Sequence, residues 1–282
     1  MVAMETVTFP SNGLDIAGHL YRPEGEPRGA IVVGHPGSGV KEQSAGTYAK
    51  QLADQGFLAL AFDAAYQGES AGEPRGLEDP AQRVEDIRAA VTFLGTENAG
   101  VLGICASGGY GLAAAGTDQR IKAIATVSLA DVARQFRFGA DGTQDPAVLQ
   151  GMLAHGQDGS FPLVPETEEQ ARQTGPHAYD GWEYYCTPRA EHPRAAKTFT
   201  WNSVGRITAF DAFRTVDLIT PRPVLFVVGR DAVTSWMTVE AYQKAAGPKE
   251  IHWIEGAGHV DLYDRYVPQV AGRVTEFFGK NL

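Results

Sequence analysis

The chain has 282 residues, 43% of them hydrophobic and 21% charged, an ordinary globular balance that allows one large domain or two small ones. A formal net charge of -10 with no Lys/Arg cluster argues against nucleic-acid and membrane partners. Two cysteines, Cys105 and Cys186, are too few for a secreted disulfide scaffold. Met1 to Phe9 has no apolar signal core, and no apolar run approaches the ~18 residues that span a bilayer, so a cytoplasmic address is expected.

Glu5 to Phe9 and Leu14 to Tyr21 alternate around Asn12-Gly13, which predicts an antiparallel hairpin. Ala30 to Gly34 reads as a buried strand and leads into the loop His35-Pro36-Gly37-Ser38-Gly39. A helix over Ala45 to Gln55 and a strand over Phe57 to Phe62, ending at Asp63, come next. Val84, Ile87, Val91 and Leu94 stand at helical spacing within Ala81 to Leu94.

The run Val101 to Ile104 then stops abruptly at Cys105-Ala106-Ser107-Gly108-Gly109. Gly103 and Ser107 flank Cys105 at two-residue spacing, as in a strand–turn–helix elbow that presents its middle side chain at the top of a sheet. The side chain at such a turn lies over a helix N-terminus, where free N–H groups favour a thiolate or an oxyanion. Cys105 is therefore the candidate nucleophile and Ser107 its rival.

Ile121 to Leu129 reads as a strand ending near Asp131. Between about Asp131 and Thr220 the alternation breaks, and the segment is rich in aromatics. A loop of that length without structure of its own is uncommon, so residues 131–220 are expected to form an inserted helical cap on a core of residues 1–130 and 221–282. Regular elements return as a strand (Pro223 to Val228), a helix (Trp236 to Ala246), a strand (Glu250 to Ile254) and a helix (Leu262 to Phe278).

Strands alternating with helices imply a mostly parallel sheet with helices on both faces and a site at the carboxyl ends of the strands. Cys105, His35, Asp63, Asp131, Asp231 and His259 all follow predicted strands and so can meet at one edge. His259, in a Gly-rich loop after the last strand, suits a general base. Asp231 is the first candidate for the acid that orients it, with Asp131 as the alternative. Asp63 and Asp261 are expected to be structural. One oxyanion-hole amide should come from Ala106 and the other from Gly37 or Ser38, because Pro36 has no N–H. Neither a nucleotide-binding loop nor a metal-ligand spacing is present, so no cofactor is expected.

Taken together, the order nucleophile, acid, late His and the strings His35-Pro36-Gly37, Gly68-Glu69-Ser70 and Gly256-Ala257-Gly258-His259 resemble the α/β-hydrolase superfamily. The Cys at the elbow is similar to dienelactone hydrolases, and Gly-Ile-Cys-Ala-Ser-Gly-Gly-Tyr and Gly-His-Val-Asp-Leu-Tyr-Asp resemble a bacterial dienelactone-hydrolase-like subgroup. The resemblance implies an eight-stranded sheet with the inserted cap. It makes His35 an oxyanion-loop scaffold and places Asp231 one residue ahead of the family's usual acid position, which Ala232 occupies. His35, Trp182, Tyr184 and Trp236 are the candidates for substrate contact. The expected activity is hydrolysis of a small ester, lactone or thioester through an acyl-enzyme. A lyase, cyclase or acyltransferase, or a binding protein without turnover, stays open as an alternative, as does a homodimer.

Overall fold

A computed structural model describes residues 2–282; Met1, the first residue of the expected core, lies outside them. Its first two strands, β1 (Ala3–Ser11) and β2 (Leu14–Arg22), form the expected hairpin. Asn12 and Gly13 both take positive φ, 47° and 79°, as a two-residue turn between right-twisted strands requires. Then follow β3 (Ala30–Gly34), α1 (Ser44–Asp54), β4 (Leu58–Phe62), α2 (Pro80–Leu94), β5 (Ala99–Ile104), α3 (Ala106–Thr117) and β6 (Ile121–Val127). After β6 come α4 (Val132–Phe138), α5 (Pro146–Ala154), β7 (Ser160–Pro162), α6 (Glu168–Thr174), α7 (Pro176–Cys186), β8 (Thr198–Thr200) and α8 (Asn202–Thr208). The chain closes with β9 (Val224–Gly229), α9 (Ser235–Lys244), β10 (Lys249–Ile254) and α10 (Val267–Asn281).

Among the described residues, eight strands form the main sheet in the order β1-β2-β4-β3-β5-β6-β9-β10. From β4 to β10 every pairing is parallel, and β2 joins β4 antiparallel. Side chains alternate across the sheet as the pleat demands. Val32, Leu60 and Val101 face one core with Ile87 and Val91 of α2, Leu112 of α3 and Met237 of α9. Ile31, Val33, Ala59 and Leu102 face the other with Tyr48 and Leu52 of α1 and Phe278 of α10. Both faces are buried, which is why the central strands are continuous apolar runs.

The segment 131–220 leaves the sheet between β6 and β9 and holds α4 to α8 and a small two-stranded antiparallel sheet of β7 and β8. Its end differs from the expected cap. Ala212, Phe213, Val216 and Ile219 join the main core beside α3 instead of covering the strand ends. The expected last helix is also broken. Val260–Tyr263 is a 3-10 turn, and α10 starts only at Val267, with Pro268 at its second position.

Candidate active site

Cys105 sits between β5 and α3 with φ 53° and ψ -118°, a conformation disfavoured for a residue with a side chain. Its neighbours make the turn sterically feasible. A Cβ on Gly103 would lie 2.1 Å from the Ser107 carbonyl oxygen. Ser107 fits in place of a glycine because Gly34 opposite has no side chain; a Cβ there would meet the Ser107 Cβ at 2.7 Å. Ser107 is buried and its Oγ donates to the His35 carbonyl at 2.6 Å, so this hydroxyl holds the elbow to β3 and faces away from the cavity.

Cys105 and Ala106 line a cavity of about 700 Å³ between the strand ends and the segment 131–220. The backbone amides of Gly37 and Ala106 both reach the Cys105 thiol. Burial pushes the thiol above its ordinary pKa; the Tyr263 hydroxyl, these two amides and the Arg83 charge pull it part of the way back. Ser38, the other expected donor, is buried outside the cavity lining. The amide that reaches the thiol is Gly37's, because the loop turns away after it, with Ser38 at φ 56°.

The His35-Pro36-Gly37 loop is held from beneath. His35 is fully buried; its Nε2 accepts from Ala64 N at 3.0 Å, which leaves Nδ1–H to donate to the Pro36 carbonyl at 2.6 Å. The Arg83 guanidinium, buried on α2, lies 3.0 Å from that Nε2 and 3.1 Å from the His35 carbonyl, and pairs with buried Glu78 at 3.2 Å. Burial, then Arg83, holds the His35 pKa well below the usual histidine range. His35 is therefore a scaffold residue and does not line the cavity, which corrects its place among the substrate contacts.

His259 follows β10 and is 4% exposed. Its carbonyl accepts from Ser128 Oγ at 2.7 Å, which ties its loop to the end of β6. Its Nδ1 lies 2.5 Å from Thr234 Oγ1 and its Nε2 lies 2.9 Å from Tyr263 Oη. Both ring nitrogens are thus engaged by hydroxyl groups. Burial, then the neighbouring His177, keeps the imidazole well below its ordinary pKa and therefore neutral. The His177 ring, on α7, stands edge to face with it at 5.2 Å.

The expected acids do not reach His259. Asp231 is exposed on the turn after β9, where its own amide donates to the Ala257 carbonyl. The side chain of Asp131 caps α4 through Ala133 N and Arg134 N and pairs with Arg134. Thr234, 1% exposed just before α9, takes the place beside Nδ1 because the β9–α9 turn directs residue 234 inward and 231 outward. Asp63 and Asp261 are structural. Asp63 accepts from Lys41 and from Glu69 N, and Asp261 from Gly258 N and Arg265.

Trp182, Tyr184 and Trp236 also lie away from the cavity. Trp182 stacks on Tyr179, Tyr184 Oη accepts from Ser44 N at 3.0 Å, and Trp236 Nε1 donates to the Ala140 carbonyl at 2.8 Å. The apolar wall is made instead by Val132, Phe136, Leu163, Val164, Tyr185 and Phe199. Thr234, Tyr263, His177 and Tyr185 were not singled out by sequence. Tyr263 had the one usable signal, standing four residues after His259 and so one turn away on a helical path.

The fold, the strained Cys at the elbow and the late His beside it define a chain of the α/β-hydrolase type. The Alpha/beta hydrolase family profile matches residues 31–273, and the chain belongs to that family. It is similar to the uncharacterized protein YcjY of Escherichia coli K12, 41% identical over 273 residues that cover 90% of this chain and 89% of that one. The crystal structure of the hypothetical protein PA2218 from Pseudomonas aeruginosa superposes with a TM-score of 0.91 at 34% identity, over 100% of this chain and 94% of that one. A shorter match joins it to the thiohydrolase aneE of Aspergillus aculeatus, 37% identical over 123 residues, 41% of this chain and 38% of that protein. Among the described residues no helix is long and apolar enough to cross a membrane, and no group of three or more His, Cys, Asp or Glu side chains is placed to hold a metal ion.

Proposed function

We propose that the chain hydrolyses a small ester, lactone or thioester through an acyl-enzyme on Cys105. The observation that carries this reading is the thiol itself: it lines the cavity with the Gly37 and Ala106 amides upon it. An acyl carbonyl that places its carbon against Sγ brings its oxygen to the same two amides, which then stabilise the tetrahedral oxyanion. His259 is the base. The thiol proton ends on its Nε2 and is returned to the leaving group, after which the imidazole activates water against the thioester. A thiol nucleophile at this elbow is the dienelactone-hydrolase-like feature of the sequence, and the similar protein aneE is by name a thiohydrolase, which fits it.

The acyl part is apolar. Phe136, Phe199, Leu163 and Val164 line the cavity with the thiol, and among the described residues no Lys or Arg does so to meet a phosphate or a second carboxylate. The exposed Glu166, Gln170 and Thr174 mark the mouth, so the polar end of the substrate faces outward. The part of the segment from α4 to β8 acts as the lid of this site, and the substrate is a soluble small molecule met in the cytoplasm.

The test is peptide-mapped mass spectrometry after reaction with p-nitrophenyl butyrate. A single butyryl group on Cys105, absent in Cys105→Ala and slow to clear in His259→Ala, is the expected result. An adduct on Ser107, or none at all, overturns the reading.

A further inference from the structure

The proposed chemistry leaves one group at the centre of the site without a role. Tyr263 is 3% exposed at the end of the 3-10 turn that begins after His259, and it lines the cavity beside Cys105. Its hydroxyl lies 2.9 Å from His259 Nε2 and also interacts with the Cys105 thiol. Among the described residues, no direct hydrogen bond joins Cys105 to His259: Nδ1 faces Thr234 and Nε2 faces Tyr263. The phenol therefore stands between the nucleophile and the base.

We propose that Tyr263 is a catalytic residue that relays the thiol proton to His259. This rests on Cys105 being the nucleophile. As Sγ attacks the acyl carbon, the S–H bond breaks and its proton passes to Tyr263 Oη, while the Oη–H proton passes to His259 Nε2. The new C–S bond takes the sulfur electron pair, and the carbonyl π pair moves onto oxygen. The imidazolium then returns a proton through the same phenol to the departing alkoxide or thiolate as its bond to carbon breaks. Tyr263 is neutral before and after, and no oxidant or co-reactant is needed.

The surroundings suit a relay. Burial raises the Tyr263 hydroxyl well above its ordinary pKa and raises the Cys105 thiol as well, so neither rests as an anion and the two protons move together. The titratable groups that act on the trio are Arg83 from α2 and His177, Tyr184 and Tyr185 from α7; the exposed Glu166 stands at the cavity mouth, and Asp180 and Asp261 flank Gly258 beside His259. With Tyr263 donating to Nε2, the Nδ1–H is left to donate to Thr234 Oγ1, which holds the ring in the tautomer the relay needs.

The experiment is single-turnover acylation by p-nitrophenyl butyrate across pH 6 to 10.5 in wild type, Tyr263→Phe and Cys105→Ala. The relay predicts that Tyr263→Phe acylates roughly 10- to 100-fold more slowly at pH 7, with KM changed less than about threefold. It also predicts that the deficit closes at high pH, where the thiol ionises without help. A deficit that is constant across pH marks a structural hydroxyl and overturns the relay. So does a Tyr263→Phe rate within about threefold of wild type while Cys105→Ala is inert, and in both cases the thiol reading stands. A burst in Cys105→Ala, or none in wild type, overturns the thiol reading and the relay with it. If Tyr263→Phe does not fold, a fluorinated tyrosine at position 263 keeps the hydroxyl and makes it more acidic. The basic limb of the acylation profile then moves to lower pH, and an unmoved limb overturns the relay.

Discussion

Thr234 Oγ1 lies 2.5 Å from His259 Nδ1, where a hydrolase triad would place a carboxylate. A hydroxyl orients the ring but brings no charge to stabilise imidazolium. The resting site is accordingly a neutral thiol beside a neutral imidazole, not an ion pair, in line with the raised thiol and the lowered imidazole. Thr234→Val keeps the shape of the side chain and removes the hydrogen bond. Acyl transfer to Cys105 should fall by about tenfold, the equivalent of one ordinary hydrogen bond, with little change in melting temperature. A stopped-flow burst assay measures the first and calorimetry the second; an unchanged burst would show that Thr234 does not orient the ring.

Four histidines, His19, His35, His177 and His259, are held below their ordinary pKa chiefly by burial. The sign of the linkage follows from proton counts. Below about pH 6.5 the unfolded chain protonates these side chains while the folded chain does not, so the unfolded state binds more protons and stability falls as pH falls. His35, His177 and His259 each contribute a slope of up to about 1.4 kcal/mol per pH unit until the folded pKa is reached. Glu78, Asp86 and Asp131, raised chiefly by burial, work in the opposite sense at lower pH. Urea midpoints between pH 7.5 and 5.5 should drop in wild type, and His259→Gln should remove about one proton from that slope. Parallel slopes for the two proteins would contradict a neutral buried His259.

The strain at Cys105 can be measured by comparing two truncations. Cys105→Ala and Cys105→Gly both remove the thiol, but only glycine relaxes φ 53°. Cys105→Gly should therefore be the more stable of the two by about 1 kcal/mol or more in urea unfolding. An order reversed in favour of alanine would mean that the elbow is not strained in solution.

Lys41 and Asp63 are both wholly buried, with Nζ 2.8 Å from Oδ2, and the ammonium also reaches Glu69 and Glu42. Arg194, from the segment 131–220, closes the same network onto Glu42 and Glu69. Removing one member leaves a buried charge without its partner. Lys41→Met should cost about 3–5 kcal/mol, and Lys41→Met with Asp63→Asn distinctly less. Chemical denaturation of the two variants decides this. Additive losses would show that the pair is not coupled.

The amino-acid sequence by itself determined the sheet, the elbow and the late histidine. Those features rest on local physics: runs such as Ala30–Gly34 bury on both faces, Asn12-Gly13 suits the hairpin turn, and Gly103 and Gly34 leave room for the turn at Cys105. The partners of His259 were decided only by the tertiary structure. Asp231 and Thr234 lie three residues apart on one turn, and which of them points inward depends on how that turn packs against the loop from Ala257 to His259. The same holds for the cavity wall. Trp182, Tyr184 and Trp236 were as eligible by composition as Phe136, Phe199 and Tyr185, and only the docking of α4, α7 and β8 over the strand ends selected among them. Aromatic character says that a side chain will be buried, whereas which neighbour buries it is settled by long-range packing that no short window of sequence contains.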